Sequence, residues 1–252
     1  MTFDITADAY DRFMGRFSQP LAARFLEASQ VRPGQRALDV GCGPGALTSL
    51  LVGRLGDDAV AAVEPSAPFV AALRARFPEL DVRFGTAEDL PFPDDHFDVT
   101  LAQLVVHFMA DPVAGLQQMA RVTRPGGIVA ACVWDHAGGG GPLSTFWSAV
   151  HDLDPDAHGE ADLAGTREGH LAELCEAAGL HQIEPLTLTV EVGFATFDDW
   201  WEPFTFGVGS AGAYVARLAA SRRRLLKERC AHRLPLAPFE VSASAWCVRA
   251  RA

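Results

Sequence analysis

Short apolar runs alternate with segments of helical periodicity along the first half of the chain. The runs have the length and composition of buried strands, and they lie at residues 36–40, 59–63, 81–84, 97–102 and 128–134. Between them, apolar residues recur three and four positions apart, which predicts helices at residues 46–55, 67–77 and 112–122. Because strand and helix alternate so regularly, the pattern predicts a parallel sheet with right-handed crossovers.

The two ends of the chain carry further elements. Apolar spacing predicts helix through residues 1–30, with Pro20 opening a second helix at its first turn. A glycine-rich loop at residues 138–142 is followed by helices and by two alternating strands. The helices lie at residues 143–153, 167–178 and 196–232, the last broken around 207–210, and the strands at 187–192 and 239–248. We expect a single domain over residues 1–252.

Composition and charge narrow the class of protein. Apolar residues make up 49% of the 252 positions, which is enough for a sizeable core, and the formal net charge is −11. Basic residues cluster only at 222–229, which we interpret as a solvated helix face, so we expect no nucleic-acid partner. No apolar run reaches the ~18–20 residues of a membrane span. The N-terminus lacks the basic-then-apolar form of a signal peptide.

The five cysteines are odd in number and scattered, and no pair has the spacing of a zinc site or a redox motif. We expect reduced, mostly buried thiols in a cytoplasmic protein that holds no metal and binds no membrane. The cysteines are Cys42, Cys132, Cys175, Cys230 and Cys247.

One stretch has the form of a nucleotide-binding loop. The strand at 36–40 ends in three glycines spaced two apart, from Gly41 to Gly45, and a helix follows. Glycine lets the backbone approach a ligand closely, and the helix directs free N–H groups toward that ligand. The pattern Gly-x-Gly-x-x-Ala from Gly41 to Ala46 also fits the dinucleotide fingerprint. Glu64, at the end of the second strand, suits a dinucleotide or another nucleotide-like ligand, because a carboxylate there can accept hydrogen bonds from both ribose hydroxyls.

Three further features distinguish between these ligands. Asp39 lies inside the opening strand, Leu90-Pro91-Phe92-Pro93 leads into the fourth strand, and Arg124-Pro125-Gly126-Gly127 precedes the fifth. Together with the glycine loop, and in this order, they resemble the class I S-adenosylmethionine-dependent methyltransferases, in particular the type 11-like subgroup that acts on small molecules. The resemblance covers residues 35–134, and residues 10–16 are also similar to a segment of some bacterial members.

The resemblance implies both a fold and a cofactor. The fold is α/β and Rossmann-like, with a seven-stranded, mostly parallel sheet, an antiparallel last strand and three layers. The alternating strand at 239–248 suits the last position. The cofactor is S-adenosylmethionine.

The resemblance also assigns residues to that cofactor. Asp39 would face its ammonium group, Glu64 would hold the ribose hydroxyls, and Gln103 would lie beneath the methionine moiety. Ala87 and Glu88 would line the adenine, although Glu88 also suits the opening of a helix or turn. Further contacts are expected from Tyr10 and Arg16, which could reach the cofactor carboxylate, and from Gly41, Cys42, Gly43, Gly45 and Pro65.

Methyl transfer requires little acid–base chemistry on the donor, because the leaving thioether is neutral. The protein must hold a nucleophile in line with the S–CH3 bond, and a base helps where the acceptor is a hydroxyl or phenol. His107, just past the fourth strand, is the best candidate for that base, although a histidine there also suits a helix cap or packing beneath Phe108. His136 and His151 are further candidates.

The added elements are expected to select the acceptor. We expect a helical lid at residues 1–30 and a substrate cap from the helical insertions at 135–160 and 196–232. The aromatic residues of the insertions favour a small acceptor that is aromatic or hydrophobic. We expect a monomer or a homodimer.

The sequence therefore predicts methyl transfer from S-adenosylmethionine to an oxygen, nitrogen or carbon of a small molecule. The alternative is a non-catalytic protein of the same fold that binds S-adenosylmethionine or acts in assembly. A nicotinamide-dependent oxidoreductase is disfavoured because the chain has no catalytic Tyr-x-x-x-Lys pair.

Overall fold

A computed structural model describes residues 11–252 and contains a seven-stranded sheet. The strands are Ala37–Val40 (β1), Val60–Glu64 (β2), Asp81–Phe84 (β3), Phe97–Gln103 (β4), Thr123–Trp134 (β5), His181–Phe194 (β6) and Phe239–Arg251 (β7). Their order in the sheet is β3-β2-β1-β4-β5-β7-β6. Strands β1 to β5 pair in parallel, and β7 lies antiparallel between β5 and β6. The predicted sheet with its antiparallel last strand is confirmed.

Helices connect the strands and cover the sheet. They are Arg16–Ala28 (α1), Ala46–Leu55 (α2), Ala67–Arg76 (α3), Pro112–Val122 (α4), Ser144–His151 (α5), His170–Ala177 (α6), Phe197–Trp201 (α7), Gly209–Arg217 (α8) and Ala220–Arg233 (α9). Short helical turns lie at Asp11–Gly15, Asp57–Ala59, Val106–Phe108 and Glu202–Phe206.

The helices form a layer on each face of the sheet. Successive side chains of a strand point to opposite faces. Accordingly, Leu38 of β1 belongs to a buried cluster with Leu116 of α4, whereas the preceding Ala37 belongs to a second cluster with Leu21 of α1 and Leu51 of α2. The protein therefore has three layers, as the sequence predicts, with one hydrophobic core between the sheet and each layer of helices.

The first described helix differs from its prediction. Pro20 lies inside α1, which begins at Arg16 after a π-helical turn, rather than at the start of a second helix. Proline has no N–H, so the helix gives up the hydrogen bond that this position would make to the carbonyl of Arg16. The predicted contact residue Tyr10 lies outside the described residues.

The last two strands are longer than predicted. β6 begins at His181 rather than at residue 187, and β7 continues to Arg251 rather than ending at 248. The added part of β6 is largely exposed, so it has no alternation of apolar and polar residues to reveal it. Its register is set instead by backbone pairing with β7 and by an ion pair between Arg249 and Glu184.

The N-terminal segment is attached to the insertion between β6 and β7. Arg16 forms an ion pair of 2.6 Å with Asp199, and Arg12 forms one of 3.3 Å with Glu202. The Phe13 ring contacts the Phe204 ring edge-on, with 5.1 Å between centroids. These contacts fix one side of the site described below.

Two further observations bear on the expectations from composition. All five cysteines are free and buried. Across residues 11–252, no helix combines the length and the apolar character that crossing a membrane requires.

Candidate functional site

A cavity of about 820 Å³, partly open to solvent, lies at the carboxyl ends of β1, β2 and β4. This first cavity is the place where open α/β sheets bind ligands. The predicted cofactor contacts that it brings together are Asp39, Gly41, Cys42, Gly43, Glu64, Pro65 and Gln103.

Glycine at two positions of the loop after β1 shapes the first cavity. Gly41 has a φ of +66°, and a Cβ there would lie 2.6 Å from a methyl carbon of Val105, so only glycine lets this loop approach the segment after β4. Gly43 has a φ of +53°, and a Cβ there would meet no described atom within 4 Å. The loop is held by hydrogen bonds from the N–H groups of Gly41 and Cys42 to the carbonyl of Val63.

Asp39 is a buried carboxyl group in the wall of the first cavity. Its side chain is 1% exposed and accepts a hydrogen bond of 2.6 Å from the hydroxyl of Thr48. Burial raises the pKa of Asp39 to about 7, the Thr48 hydrogen bond opposes that rise, and the charge of Glu64 adds to it. Asp39 is therefore balanced between its two charge states near neutral pH.

Glu64 is the second carboxyl group of the wall and is 5% exposed. One oxygen accepts from the N–H of Gly43 and the other from the N–H of Ser66, both at 2.9 Å. Burial raises the pKa of Glu64, and these two hydrogen bonds oppose the rise. The bonds fix the carboxylate while leaving each oxygen a lone pair for a ligand.

No Lys, Arg or His is among the described residues that line the first cavity. Two buried carboxyl groups without a cation are costly to ionise, and a positively charged ligand would lower that cost. Gln103 adds an unsatisfied acceptor: its Nε2 donates to the carbonyl of Ser18 at 2.9 Å, while its buried Oε1 has no partner within residues 11–252. The first cavity is thus suited to a cation that carries hydrogen-bond donors.

Other predicted contacts lie away from the first cavity. Arg16 is paired with Asp199, and its guanidinium lies over the Phe194 ring. Ala87 is buried in the core on the α4 side of the sheet. Glu88 accepts from the N–H of Ala110 at 2.7 Å, close to the start of α4. At the fourth of these residues, Gly45, a Cβ would lie 2.4 Å from Leu73 of α3.

A second cavity, of about 500 Å³, adjoins the first. Leu104 and Phe108 line both, so these two side chains form the boundary between them. Leu104 has a φ of +62°, a conformation that a leucine adopts at a cost of roughly 1–2 kcal/mol. The second cavity is walled by apolar side chains and by His107, Trp134, His136, Glu160 and Ser210.

His107 lies in the helical turn after β4 and is buried. Burial lowers the pKa of His107 to about 3, and the neighbouring His136, whose ring centroid is 6.0 Å away, lowers it further. The imidazole is therefore neutral at pH 7. Its buried Nδ1 has no hydrogen-bonding partner in the part of the chain that the structure describes.

A third cavity, of about 910 Å³, lies beyond the second and shares His136 and Glu160 with it. Glu160 is buried and accepts from the Trp147 indole N–H at 2.9 Å and from the Ser210 hydroxyl. Burial lowers the pKa of His136, whereas the carboxylates of Glu160 and Asp135 oppose that decrease. The three cavities follow one another in space.

Sequence reasoning missed several residues of these cavities. Ser18, which reaches the first cavity from α1, interrupts an apolar helix face and could have been identified from that pattern. No sequence pattern identifies Thr48 or Trp134 as a residue of the site, because their roles depend on which elements meet in the fold. Glu160 lies in a stretch without periodic pattern, so its burial could not be anticipated.

Residues 38–131 match the family model described as "Methyltransferase domain". The chain is 36% identical over 135 residues to an uncharacterized methyltransferase of Mycobacterium tuberculosis, covering 54% of this chain and 52% of that one. It is 35% identical over 133 residues to the nocamycin O-methyltransferase of Saccharothrix syringae, covering 50% and 48%. The chain thus spans about half the length of the curated relatives it matches.

The fold is also similar to solved structures. A putative methyltransferase in complex with the Haloferax volcanii Trm112 methyltransferase activator superimposes with a TM-score of 0.59. The alignment covers 98% of this chain and 95% of that one at 21% sequence identity, a level that relates the folds alone.

Proposed function

We propose that this chain, whose residues 38–131 match a methyltransferase domain model, transfers the methyl group of S-adenosylmethionine to a small-molecule acceptor. One observation carries the proposal. A cavity with two buried carboxyl groups and no lining cation adjoins, at Leu104 and Phe108, a second and mainly apolar cavity. A positively charged donor and an uncharged acceptor would each find a complementary surface there.

The residues of the first cavity fit S-adenosylmethionine, whose sulfonium and ammonium groups are positive. Asp39 would face the ammonium group and Glu64 the ribose hydroxyls, since each Glu64 oxygen keeps a free lone pair. The unpaired Oε1 of Gln103 would accept a further donor of the methionine moiety. The open space beside Gly43 leaves room for the ligand. When bound, the cofactor supplies a methyl group on a sulfur that leaves as a neutral thioether.

The second cavity would hold the acceptor. Its walls include Phe13, Phe108 and Trp134, so an aromatic or hydrophobic molecule would bury its surface there. The relative from Saccharothrix syringae, named an O-methyltransferase, supports a small acceptor for the matching half of the chain. An acceptor cavity beside the donor cavity also favours an enzyme over a non-catalytic protein of the same fold.

The chain's own contribution to the reaction would be to position the acceptor and to exclude water. Holding the nucleophile in line with the donor accounts for much of the rate in such transfers. His107 would contact the acceptor molecule and could accept a hydrogen bond from it, because its imidazole is neutral and its Nδ1 is unpaired. Its low pKa makes His107 a better orienting group than a proton store.

The N-terminal segment and the two helical insertions would enclose the site. The ion pair between Arg16 and Asp199 supports this arrangement, because it joins α1 to the insertion at 196–232. Stacking of Phe146 on Phe204, with 4.6 Å between ring centroids, joins that insertion to the one at 135–160. The proposed lid and substrate cap would then form one cover over the second cavity.

Calorimetry tests the cofactor assignment. We expect the protein to bind S-adenosylmethionine and S-adenosylhomocysteine, and we expect Glu64→Ala to weaken both at least about tenfold because a charged hydrogen-bond acceptor is lost. Glu79→Ala, at an exposed position outside the cavity, is the matched control and should leave affinity unchanged. Equal affinity in the Glu64 and Glu79 variants would refute the ribose assignment.

A further inference from the structure

We propose that His136, supported by the carboxylate of Glu160, takes the proton from a hydroxyl acceptor bound in the second cavity. The inference rests on the proposed function and deepens it. It names the acceptor class, an aromatic or hydrophobic alcohol, phenol or enol, and it assigns the proton to a residue other than His107.

The loop after β5 holds His136 in place. The carboxylate of the preceding Asp135 accepts from the N–H of Gly138 at 2.7 Å, from that of Gly140 at 3.2 Å and from the indole N–H of Trp246 at 3.2 Å. The carbonyl of Asp135 also accepts from the N–H of Gly141 at 2.7 Å. Because Asp135 ties the loop together, the imidazole next to it is held at the wall that separates the second and third cavities.

Glu160 supplies a negative charge beside His136. Its two oxygens accept from neutral donors, Trp147 and Ser210, and no ion pair joins it to an Arg, Lys or His within residues 11–252. A buried carboxylate without a counter-charge favours a cation nearby, and a protonated imidazole provides one. Glu160 and His136 line the same two cavities, so the charge acts where the proton would arrive.

The other titratable groups near His136 define its environment. His107 faces it from the turn after β4 and is neutral, so it does not compete for the proton. Asp135 precedes it in the chain and favours its charged form. His151, His158 and Asp162 line the third cavity with it. His136 is the histidine of the second cavity that has carboxylates close enough to favour the imidazolium.

The unpaired atoms of the second cavity's wall point to a hydroxyl. Trp134 has a buried indole N–H, and His107 a buried Nδ1, that lack partners among the described residues. A hydroxyl oxygen has two lone pairs, so one can attack the methyl carbon while the other accepts from the Trp134 indole N–H, and its single proton stays available to His136. A neutral amine has a single lone pair, which the attack on the methyl carbon uses, so it could not also accept from Trp134.

The chemical step balances without another reagent. The acceptor oxygen attacks the methyl carbon, an O–CH3 bond forms, and the S–CH3 bond breaks with its electron pair going to sulfur. The hydroxyl proton passes to a ring nitrogen of His136, which becomes an imidazolium beside Glu160. The imidazolium then releases the proton to solvent through the third cavity, whose volume is partly open to bulk water.

Turnover with defined probes tests the acceptor class and the base. The probes are 1-naphthol, 2-naphthol and catechol, each compared with the amine of the same ring skeleton, and release of S-adenosylhomocysteine is measured. We expect turnover of at least one hydroxyl probe, faster than of its amine. His136→Gln should lower kcat at least about tenfold with an unchanged KM for S-adenosylmethionine, whereas the control His181→Gln, at an exposed position that lines none of the three cavities, should not.

The pH profile separates a base from a merely structural residue. We expect kcat to rise with pH as His136 loses its proton. Glu160→Gln should move this rise to lower pH, because it removes a carboxylate that favours the imidazolium. Should Glu160→Gln fail to fold, NMR titration of wild-type protein labelled at histidine serves instead, and His136 should titrate above His107.

Several results would overturn the inference. They are methylation of amines but of no hydroxyl probe, no turnover of any probe by protein that binds S-adenosylmethionine, full kcat in His136→Gln, and His107 titrating above His136. Failure to bind S-adenosylmethionine at all would instead refute the proposed function.

Discussion

Asp39 shows how a residue of the site can work against the stability of the fold. Its pKa is about 7 in the folded protein and has an ordinary value of 3.8, so between these values the folded state holds a proton that the unfolded state has lost. Stability contributed by this proton is present below pH 3.8 and is lost as pH rises through about 7. At neutral pH the protein therefore retains a carboxyl group that is costly to ionise, in a place suited to a cation.

Replacing Asp39 with asparagine should remove that cost. The amide oxygen can still accept the Thr48 hydroxyl, but no charge remains to be buried. We expect Asp39→Asn to raise the free energy of unfolding at pH 8 by on the order of 2 kcal/mol and to flatten its decline between pH 5 and pH 8. Urea denaturation at the two pH values measures both, and an equal decline in variant and wild type would contradict the explanation.

The elements around the glycine loop were readable from the sequence because their signals are local. A buried run, closely spaced glycines and a helical pattern identify β1, the loop and α2 wherever they occur. The start of β6 was not readable, since its pairing with β7 joins residues as far apart in the chain as His181 and Arg251. The ion pair between Arg16 and Asp199 was missed for the same reason, because it spans 183 positions. The burial of Glu160 was missed as well, since it too depends on which segments meet in the fold.

The contact between the glycine loop and the segment after β4 can be tested directly. In Gly41→Ala the new methyl group would lie 2.6 Å from a Val105 carbon, in a backbone conformation that alanine adopts poorly. We expect at least about tenfold weaker binding of S-adenosylmethionine and a lower Tm, since overpacking of this kind typically costs about 1–3 kcal/mol.

Gly34→Ala is the matched control for that variant. Gly34 has a φ of +85°, and a Cβ there would meet no atom of residues 11–252 within 4 Å, so alanine would strain the backbone without colliding with a neighbour. We expect a lower Tm with unchanged affinity, and Gly41→Ala combined with Val105→Ala should recover part of the lost binding. If both glycine variants bind equally well, the loop does not depend on this close approach.

In the molecule as a whole, three cavities lie in sequence across the carboxyl ends of the strands. The first contains two buried carboxyl groups, the second is mainly apolar, and the third shares His136 and Glu160 with the second. The strand ends supply the first, and the N-terminal segment and the insertions complete the others through Phe13, Leu143 and Ser210. From the sequence we predict a cofactor site at these strand ends and a substrate cap from the insertions, and both stay predictions, whereas Trp134 and Glu160 are recognised as cavity residues only in the fold.

A crystal structure of the protein with S-adenosylhomocysteine tests the central claim most directly. We predict that the ligand occupies the first cavity with its ribose hydroxyls about 2.6–3.2 Å from the Glu64 carboxylate and with its sulfur directed toward Leu104 and Phe108. A ligand bound elsewhere, or bound in the first cavity without contact to Glu64, would contradict the account.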